Sequence, residues 1–298
     1  MTEKIAYFPG CSLHSSAKEY DLSSRLVLSR CGFAIEEIED WNCCGASPAH
    51  GVSEELSLAL PLRNMIIAED RQYEGVFTPC ASCYSRFRFA DHETRKNPKM
   101  RERMTELVGK AYNNSLGIYH ILDILNGIIG LERIRALITR PLAGLKVACY
   151  YGCLLVRPPK IAGVDSRVED PTVMDELCVA MGAEPVVWPH KTECCGASQT
   201  LPHTDSVLRL CRRLLKSAQA AGADCLVAAC PLCHANLDMR QAEVEKKYRE
   251  PLQLPIVYIT QLLGLAMDMT PEMMGMDRHL VSTKALTAKL VTTQVDSL

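Results

Sequence analysis

The sequence predicts an α/β protein built from two tandem copies of one unit, and three observations carry that prediction. Three cysteine-bearing blocks occur twice in the same order, short apolar strands lead into them, and helical periodicity fills the intervals. Lys4 to Cys11 (KIAYFPGC) matches Lys146 to Cys153 (KVACYYGC). Trp41 to Ser47 (WNCCGAS) matches Thr192 to Ser198 (TECCGAS), and Val76 to Cys83 (VFTPCASC) matches Leu226 to Cys233 (LVAACPLC). The join falls near Arg140 to Gly144.

Each copy opens with a strand that ends at Gly-Cys. In the second copy, Asp170 is placed to cap a helix with Pro171 at its first position. Met174, Leu177, Cys178 and Met181 form its apolar stripe, and Gly182 ends it. Glu184 to Trp188 reads as a strand. Val207, Leu210, Cys211, Leu214, Leu215 and Ala218 give a second helix, and Cys225 to Ala229 is a strand running into Cys230. Such alternation implies small parallel sheets with flanking helices, and ligands of such sheets bind beyond the strand C-termini. The expected layout is a first domain over 1–140 carrying a helical insert (about 98–139), a second over 141–270, and a tail over 271–298. The Met- and Thr-rich stretch from Met267 onward shows no core pattern, so it lies on the body or a partner, or is disordered.

Composition narrows the function. The 298 residues carry a formal charge of −2 without a long basic block, which argues against nucleic-acid binding. The N-terminus lacks a secretory apolar region, and no run reaches the ~18 apolar residues of a membrane span, so a cytoplasmic protein is expected. No Gly-rich nucleotide motif is present. Fifteen cysteines in such a chain point to metal or redox chemistry rather than to a disulfide scaffold.

Ten of the fifteen belong to the repeats. One set is Cys11, Cys43, Cys44, Cys80 and Cys83; the other is Cys153, Cys194, Cys195, Cys230 and Cys233. Thiolates are soft ligands for iron–sulfur clusters and zinc. A structural zinc takes four ligands, as does an ordinary cubane. Five exceed both, and the recurrence of all five argues against redundancy. Gly45 and Gly196 would permit the sharp turn that adjacent cysteines need to face one centre. Cys31, Cys149, Cys178, Cys211 and Cys225 read as core residues. His14 and His50 lie near the first set, and His203, His234, Lys191 and Glu193 near the second; each could donate protons or tune a centre, or be an ordinary loop residue. Trp41 and Trp188 precede the Cys-Cys pairs and read as walls of the pockets.

These ten cysteines and both Cys-Cys-Gly turns resemble the CCG domain, and residues 1 to about 270 resemble HdrB, the CCG-bearing component of heterodisulfide reductase. The second set has a longer gap before Cys194 and a shorter one before Cys230, which predicts a loop difference. The resemblance implies two tandem CCG domains about a pseudo-two-fold axis. It implies a non-cubane 4Fe-4S cluster on each five-cysteine set, with a cysteine of each adjacent pair bridging irons. It further implies cleavage of the coenzyme M–coenzyme B disulfide (CoM-S-S-CoB) between the clusters, an oxidoreductase reaction on a sulfur group. The implied partners within the same complex are a ferredoxin-like iron–sulfur subunit, which delivers the electrons, and a flavin-containing subunit, which feeds it. The chain has no cubane motif of its own, so a separate electron carrier is needed. Two one-electron sites flanking one disulfide would also explain why the pattern is duplicated. CCG domains also serve glycolate and lactate oxidation, thiol:fumarate reduction and other disulfide or persulfide chemistry, and a purely electron-transferring component is a further class. Two four-iron clusters predict about eight irons per chain after anaerobic purification; stoichiometric zinc with almost no iron would overturn the assignment.

Overall fold

The computed structural model describes residues 4–46, 49–200 and 202–295; the side chains of His50 and of residues 292–295 lie outside the described set. Two four-stranded parallel sheets form the frame. The first contains β1 (Ile5–Tyr7), β2 (Glu36–Glu37), β3 (Gly75–Thr78) and β4 (Gly117–His120) in the order β2-β1-β3-β4. The second contains β5 (Lys146–Tyr150), β6 (Glu184–Pro185), β7 (Cys225–Ala228) and β8 (Ile256–Tyr258) in the order β6-β5-β7-β8. Registers repeat as well: Ala6 pairs with Val76 and Ala148 with Leu226, while Thr78 pairs with His120 and Ala228 with Tyr258. β1, β3 and β7 are buried along their whole length, and β5 from Val147 onward, as helices on both faces require, which is why they read as apolar runs without alternation.

The crossover helices repeat too. Lys18–Arg30 and Val173–Ala180 follow the first strand of each half, Glu54–Asp70 and Thr204–Ala220 precede the third, and Ala81–Lys96 and Pro231–Met239 leave it. The halves interlock reciprocally. The helix Ile259–Ala266 packs on Lys18–Arg30, and the segment from Ile124 to Leu137 packs on Val173–Ala180. This exchange is what a pseudo-two-fold relation demands. No helix among the described residues is long and apolar enough to cross a membrane.

Three local expectations need correction. The stretch expected as a helical insert contains β4, because Gly117 to His120 is too short to display a period. Its helix Pro98–Val108 starts where Asn97 accepts the Met100 amide (3.1 Å) and stops at Gly109 with φ +82°. The second-half helix begins at Val173 and not at Pro171. Its free amides are taken by Asp165, which accepts from Thr172 (2.6 Å) and Val173 (3.1 Å), and by the Tyr151 hydroxyl, which accepts from Met174 (2.7 Å). Asp170 instead pairs with the buried Lys191 Nζ at 3.1 Å. The strand expected over Glu184 to Trp188 is the two-residue β6, prolonged only by the Val186 amide on the Val147 carbonyl. Of the alternatives for the tail, its described part lies on the body: Met274, Met276, Leu286 and Leu290 are buried, and the last helix spans Lys284–Val295.

Asp165 supplies a test. Burial raises its pKa, but the amides of Arg167, Thr172 and Val173 and the Arg167 charge outweigh that and hold it below the usual carboxylate range. A depressed carboxyl contributes stability above its unfolded pKa of ~3.9 and loses it as pH falls through the folded value. Asp165→Ala should therefore cost about 1 kcal/mol near neutral pH. The gap from wild type in denaturant midpoint should narrow below pH ~4; a gap independent of pH would contradict the capping role.

Candidate metal centre

Both sheets present their strand C-termini to the cysteines. After β1 and β5 the chain turns at Gly10 (φ +69°) and Gly152 (φ +66°), which deliver Cys11 and Cys153. A Cβ on Gly10 would lie 3.0 Å from Cys83 Sγ, and one on Gly152 would lie 3.4 Å from Cys233 Sγ. Glycine is thus needed both for the turn and for close approach. Cys80 and Cys230 sit at the N-caps of the helices that follow β3 and β7, with Cys83 and Cys233 in their first turns. The positive helix end favours a thiolate there. Gly45 (φ +72°) and Gly196 (φ +81°) make the Cys-Cys turns, as the sequence predicts. Their amides donate to Cys43 Sγ (3.5 Å) and Cys194 Sγ (3.2 Å). Carboxamides pin both turns: Asn64 exchanges two bonds with the Asn42 backbone (2.9 Å each), and Asn236 Nδ2 donates to the Cys195 carbonyl (2.7 Å).

The sulfurs are matched in the same way in each half. Cys43 lies 3.8 Å from Cys11, and Cys44 lies 3.1 Å from Cys83. Equivalently, Cys194 meets Cys153, and Cys195 meets Cys233. The fifth cysteines, Cys80 and Cys230, meet one another across the halves. Cys11, Cys43 and Cys194 are exposed, whereas Cys44, Cys80, Cys83, Cys195 and Cys230 are buried, so each set runs from surface to interior.

This crowding has an electrostatic consequence. Hydrogen bonds from Cys11 and Cys44 pull Cys43 down to about 2, and the same contact drives Cys11 well above the ordinary thiol range. Cys153, assisted by the Gly196 amide, pulls Cys194 down to about 6 against the effect of burial. Neighbouring thiols therefore share protons, and ionising all five of a set requires added positive charge. Among the described residues, no group of three His, Cys, Asp or Glu converges as a single-ion site. The five thiols of the first set form a continuous run of contacts, from Cys11 to Cys43, Cys44, Cys83 and Cys80, unlike a closed zinc tetrahedron. They fit a thiolate-bound centre of several metal ions.

A pocket crosses the halves at this point. All five cysteines of the second set line it or stand at its wall: Cys153, Cys194, Cys195, Cys230 and Cys233, with Ala46, Ala81 and Ser82 beside the first set opposite them. Phe8 and Tyr150, which the repeat pattern did not single out although they hold equivalent places in it, stand beside the cysteine turns. Each lies within 4 Å of the Cβ position of the glycine before the first cysteine. Trp41 packs edge-on behind Phe8 (5.4 Å between rings), and Trp188 packs behind Tyr150 (6.2 Å), its indole donating to the Cys149 carbonyl. The tryptophans are a second layer rather than pocket walls.

The other candidates are engaged elsewhere. His14 contacts Glu37 (3.0 Å), and Glu193 pairs with His190 and Arg213. Lys191 is held by Asp170, Asp175 and the Pro171 carbonyl. His203 is exposed before the helix Thr204–Ala220, and His234 is buried with its Nε2 3.0 Å from the Ile256 carbonyl. His50 lies outside the described side chains. A histidine not foreseen, His120, is more central: its Nε2 lies 3.0 Å from both the Pro79 and the Ala229 carbonyl, one residue before Cys80 and Cys230. The spare cysteines Cys31, Cys149, Cys178, Cys211 and Cys225 are all buried. The longer gap before Cys194 is the loop after Cys153, which reaches the first half through the Ile161 carbonyl on Arg88.

Gly10→Ala should remove iron from the first set, lowering metal content by roughly half, because positive φ strain of ~1–3 kcal/mol adds to the clash with Cys83. Gly152→Ala, with more room, should lose less. Cys178→Ala should leave iron unchanged and lower stability by ~1–3 kcal/mol; iron loss in that variant would show a missed ligand.

Comparison with known proteins agrees with this architecture. The family model described as a cysteine-rich domain, CCG, matches residues 5–88 and 147–238. The HdrB component of ferredoxin:CoB-CoM heterodisulfide reductase from Methanosarcina mazei is 32% identical, covering 96% of this chain and 97% of its own. The 8-methylmenaquinol:fumarate reductase membrane anchor subunit of Wolinella succinogenes is 29% identical over 96% of this chain and 100% of its own. A hypothetical protein from Helicobacter pylori shares the fold, with TM-score 0.72 and 15% identity over 93% of this chain, which spans 52% of that longer one. The chain therefore belongs to the cysteine-rich CCG family, in the form similar to HdrB of heterodisulfide reductase.

Proposed function

We propose that the chain is the disulfide-reducing iron–sulfur component of a multisubunit redox complex, with CoM-S-S-CoB as its substrate. The observation that carries this reading is the pocket, bounded by one whole cysteine set and by the backbone neighbours of the other. Cys11, Cys43, Cys44, Cys80 and Cys83 would hold one non-cubane 4Fe-4S cluster, and Cys153, Cys194, Cys195, Cys230 and Cys233 the second. When bound, such clusters supply single electrons and iron that acts as a Lewis acid toward a departing sulfur.

The chain's own residues account for the rest of the site. Ala46, Ala81 and Ala197 are small enough to admit a disulfide, and Leu154 and Leu232 give the pocket an apolar lining. The Tyr151 hydroxyl is committed to Asp175 (2.6 Å) and to helix amides, so Ser82 and Ser198 are the hydroxyls free to meet a substrate. Among the described residues, no histidine lines the pocket; product thiolates would take protons from water at the mouth, where Cys194 and Ser198 are exposed. Among the described residues, no Lys or Arg lines the pocket. Half-buried Arg86, close enough to Cys44 to feel its charge, would meet an anionic arm of the substrate. The required electron carrier would be a ferredoxin-like iron–sulfur protein fed by a flavoprotein of the same complex.

The likeness to a component of a fumarate reductase supports a second reading, in which the chain passes electrons without binding a disulfide. Anaerobic disulfide reduction with a reduced low-potential dye separates the two. Under the reductase reading, Cys44→Ser and Cys195→Ser each abolish turnover, and the double variant is no worse than either, since the two sets act as a unit. Near-normal turnover in one single variant would reduce that site to a relay. No turnover by fully iron-loaded wild type would favour the second reading.

A further inference from the structure

Tyr20 carries a polar atom that the packing does not use. The residue lies in the helix Lys18–Arg30, at the seam of the halves, and is fully buried. Its ring lies flat on that of Tyr258, 3.9 Å away and 5° from parallel, and Tyr258 stacks in turn on His234. A phenylalanine would make the same contacts. The hydroxyl is buried without a hydrogen-bond partner among the described residues. A core hydroxyl loses its bonds to water on folding, so one that gains none in return calls for a reason. The two helices that meet here offer it no partner. Ser23 is bonded to Thr260 (2.7 Å), Gln261 holds the Tyr258 amide and the Met274 carbonyl, and Ser24, one turn along, has no partner either.

The electrostatic neighbours of this hydroxyl are sulfurs. The charges that reach it are those of Cys230 first and Cys80 second, the two cysteines that meet across the halves. The sheet register agrees, because Tyr258, on which Tyr20 lies, pairs with Ala228, two residues before Cys230. Burial above all, and then these cysteines, hold the Tyr20 phenol well above its ordinary range, so it stays protonated and able to donate. Neither thiol accepts from it in this structure. The Tyr258 hydroxyl is placed differently: it feels the Glu19 carboxyl more strongly than either cysteine. Glu19 is itself enclosed by the tail at Gly275.

We propose that Tyr20 donates a hydrogen bond to a sulfur of the iron–sulfur centre on the second set, Cys153, Cys194, Cys195, Cys230 and Cys233, and so raises its reduction potential. The proposal rests on the reading of the two sets as cluster sites. Reduction puts negative charge on the sulfurs, which then accept a hydrogen bond more strongly. A donor fixed beside them therefore favours the reduced form. The aromatic stack holds the ring, so the bond needs no rearrangement when an electron arrives. Tyr20 belongs to the first half and Cys230 to the second, so one half tunes the centre of the other. All five cysteines of the second set border the pocket, and a raised potential there draws electrons to the site beside the substrate. Tyr20 thus acts through the centre and does not itself meet the substrate.

The test uses the full chain, purified anaerobically with its iron. Tyr20→Phe keeps the stack and removes one atom. Iron content should be unchanged, while the midpoint of one couple, followed by electron paramagnetic resonance in a mediated redox titration, should fall. At a fixed potential the reduced-to-oxidised ratio of that couple should drop about tenfold, ~59 mV for a one-electron step. It should be the couple that Cys44→Ser retains, since that variant leaves the second set intact. A fluorinated tyrosine in place of Tyr20, a stronger donor of nearly the same shape, should move the same midpoint upward, which a packing defect would not do. Unchanged midpoints in a fully iron-loaded Tyr20→Phe chain would overturn the proposal and leave the cluster reading standing. So would loss of iron on that one-atom change, a shift of the same sign in both variants, or a shift confined to the couple that Cys44→Ser loses. A wild-type chain that takes up zinc and almost no iron would sink the proposal and the cluster reading together.

Discussion

Thiols held in contact repel one another once ionised, and the architecture is organised around that constraint. Cys43, pulled down to about 2, and the raised thiol of Cys11 beside it show one sulfur of a contacting pair ionising at the expense of the other. Holding such a set costs free energy that only a stiff scaffold can supply. The stiffness comes from three features with separate causes. Buried parallel strands fix where the chain emerges, positive-φ glycines set the turn, and helix N-termini face the Cys-x-x-Cys sulfurs with partial positive charge. A bound metal centre would relieve the repulsion that the scaffold imposes, which would couple loading to folding.

Duplication makes two such sets but leaves their mutual position open. The interlocked helices close that freedom, since each half completes its helical layer with an element of the other. At the seam lies a continuous aromatic stack. Tyr20 of the first half lies 3.9 Å from Tyr258 of the second, with rings 5° from parallel, and Tyr258 in turn stacks on His234 at 4.1 Å. His234 is buried and held well below its usual pKa, mainly by desolvation, so the stack is neutral and adds no charge beside the sulfur sets.

Much of this was legible in the sequence, and the limits have physical causes. The three repeated blocks identify both sulfur sets, the glycine turns and the parallel strands, because glycine and cysteine are constrained by local geometry. Helices of several turns, such as Thr204–Ala220, show their apolar stripe, with Leu208 taking part of the burial expected of Leu210. What failed was short or nonlocal. β4 has four residues and no period to detect. Asp165 caps a helix from seven residues away, farther than any local capping motif reaches. The tail lacks periodicity because its methionines fill gaps over the body singly, as Met274 does over Gly264. The tryptophans were placed one layer too close, since sequence distance from a cysteine does not fix depth.

His120 escaped notice because its partners are backbone carbonyls from two separate blocks. Its tautomer follows from its contacts. Nδ1 accepts the Leu122 amide (3.3 Å), so the ring proton is on Nε2, where it faces the carbonyls of Pro79 and Ala229, each at 3.0 Å. Desolvation drops its pKa to about 4, so the ring is neutral near pH 7 and cannot rotate its donor away without stranding the Leu122 amide. One N–H is thus shared between the peptide groups that precede Cys80 and Cys230, the two sulfurs that meet across the halves. Backbone strands fix each set within its own half, and this imidazole adds a direct tie between the two beside that of the interlocked helices. A side chain with only one nitrogen could fill the donor role or the acceptor role, but not both, which is why the position suits histidine while its counterpart in the other half, Tyr258, serves as a stacking surface.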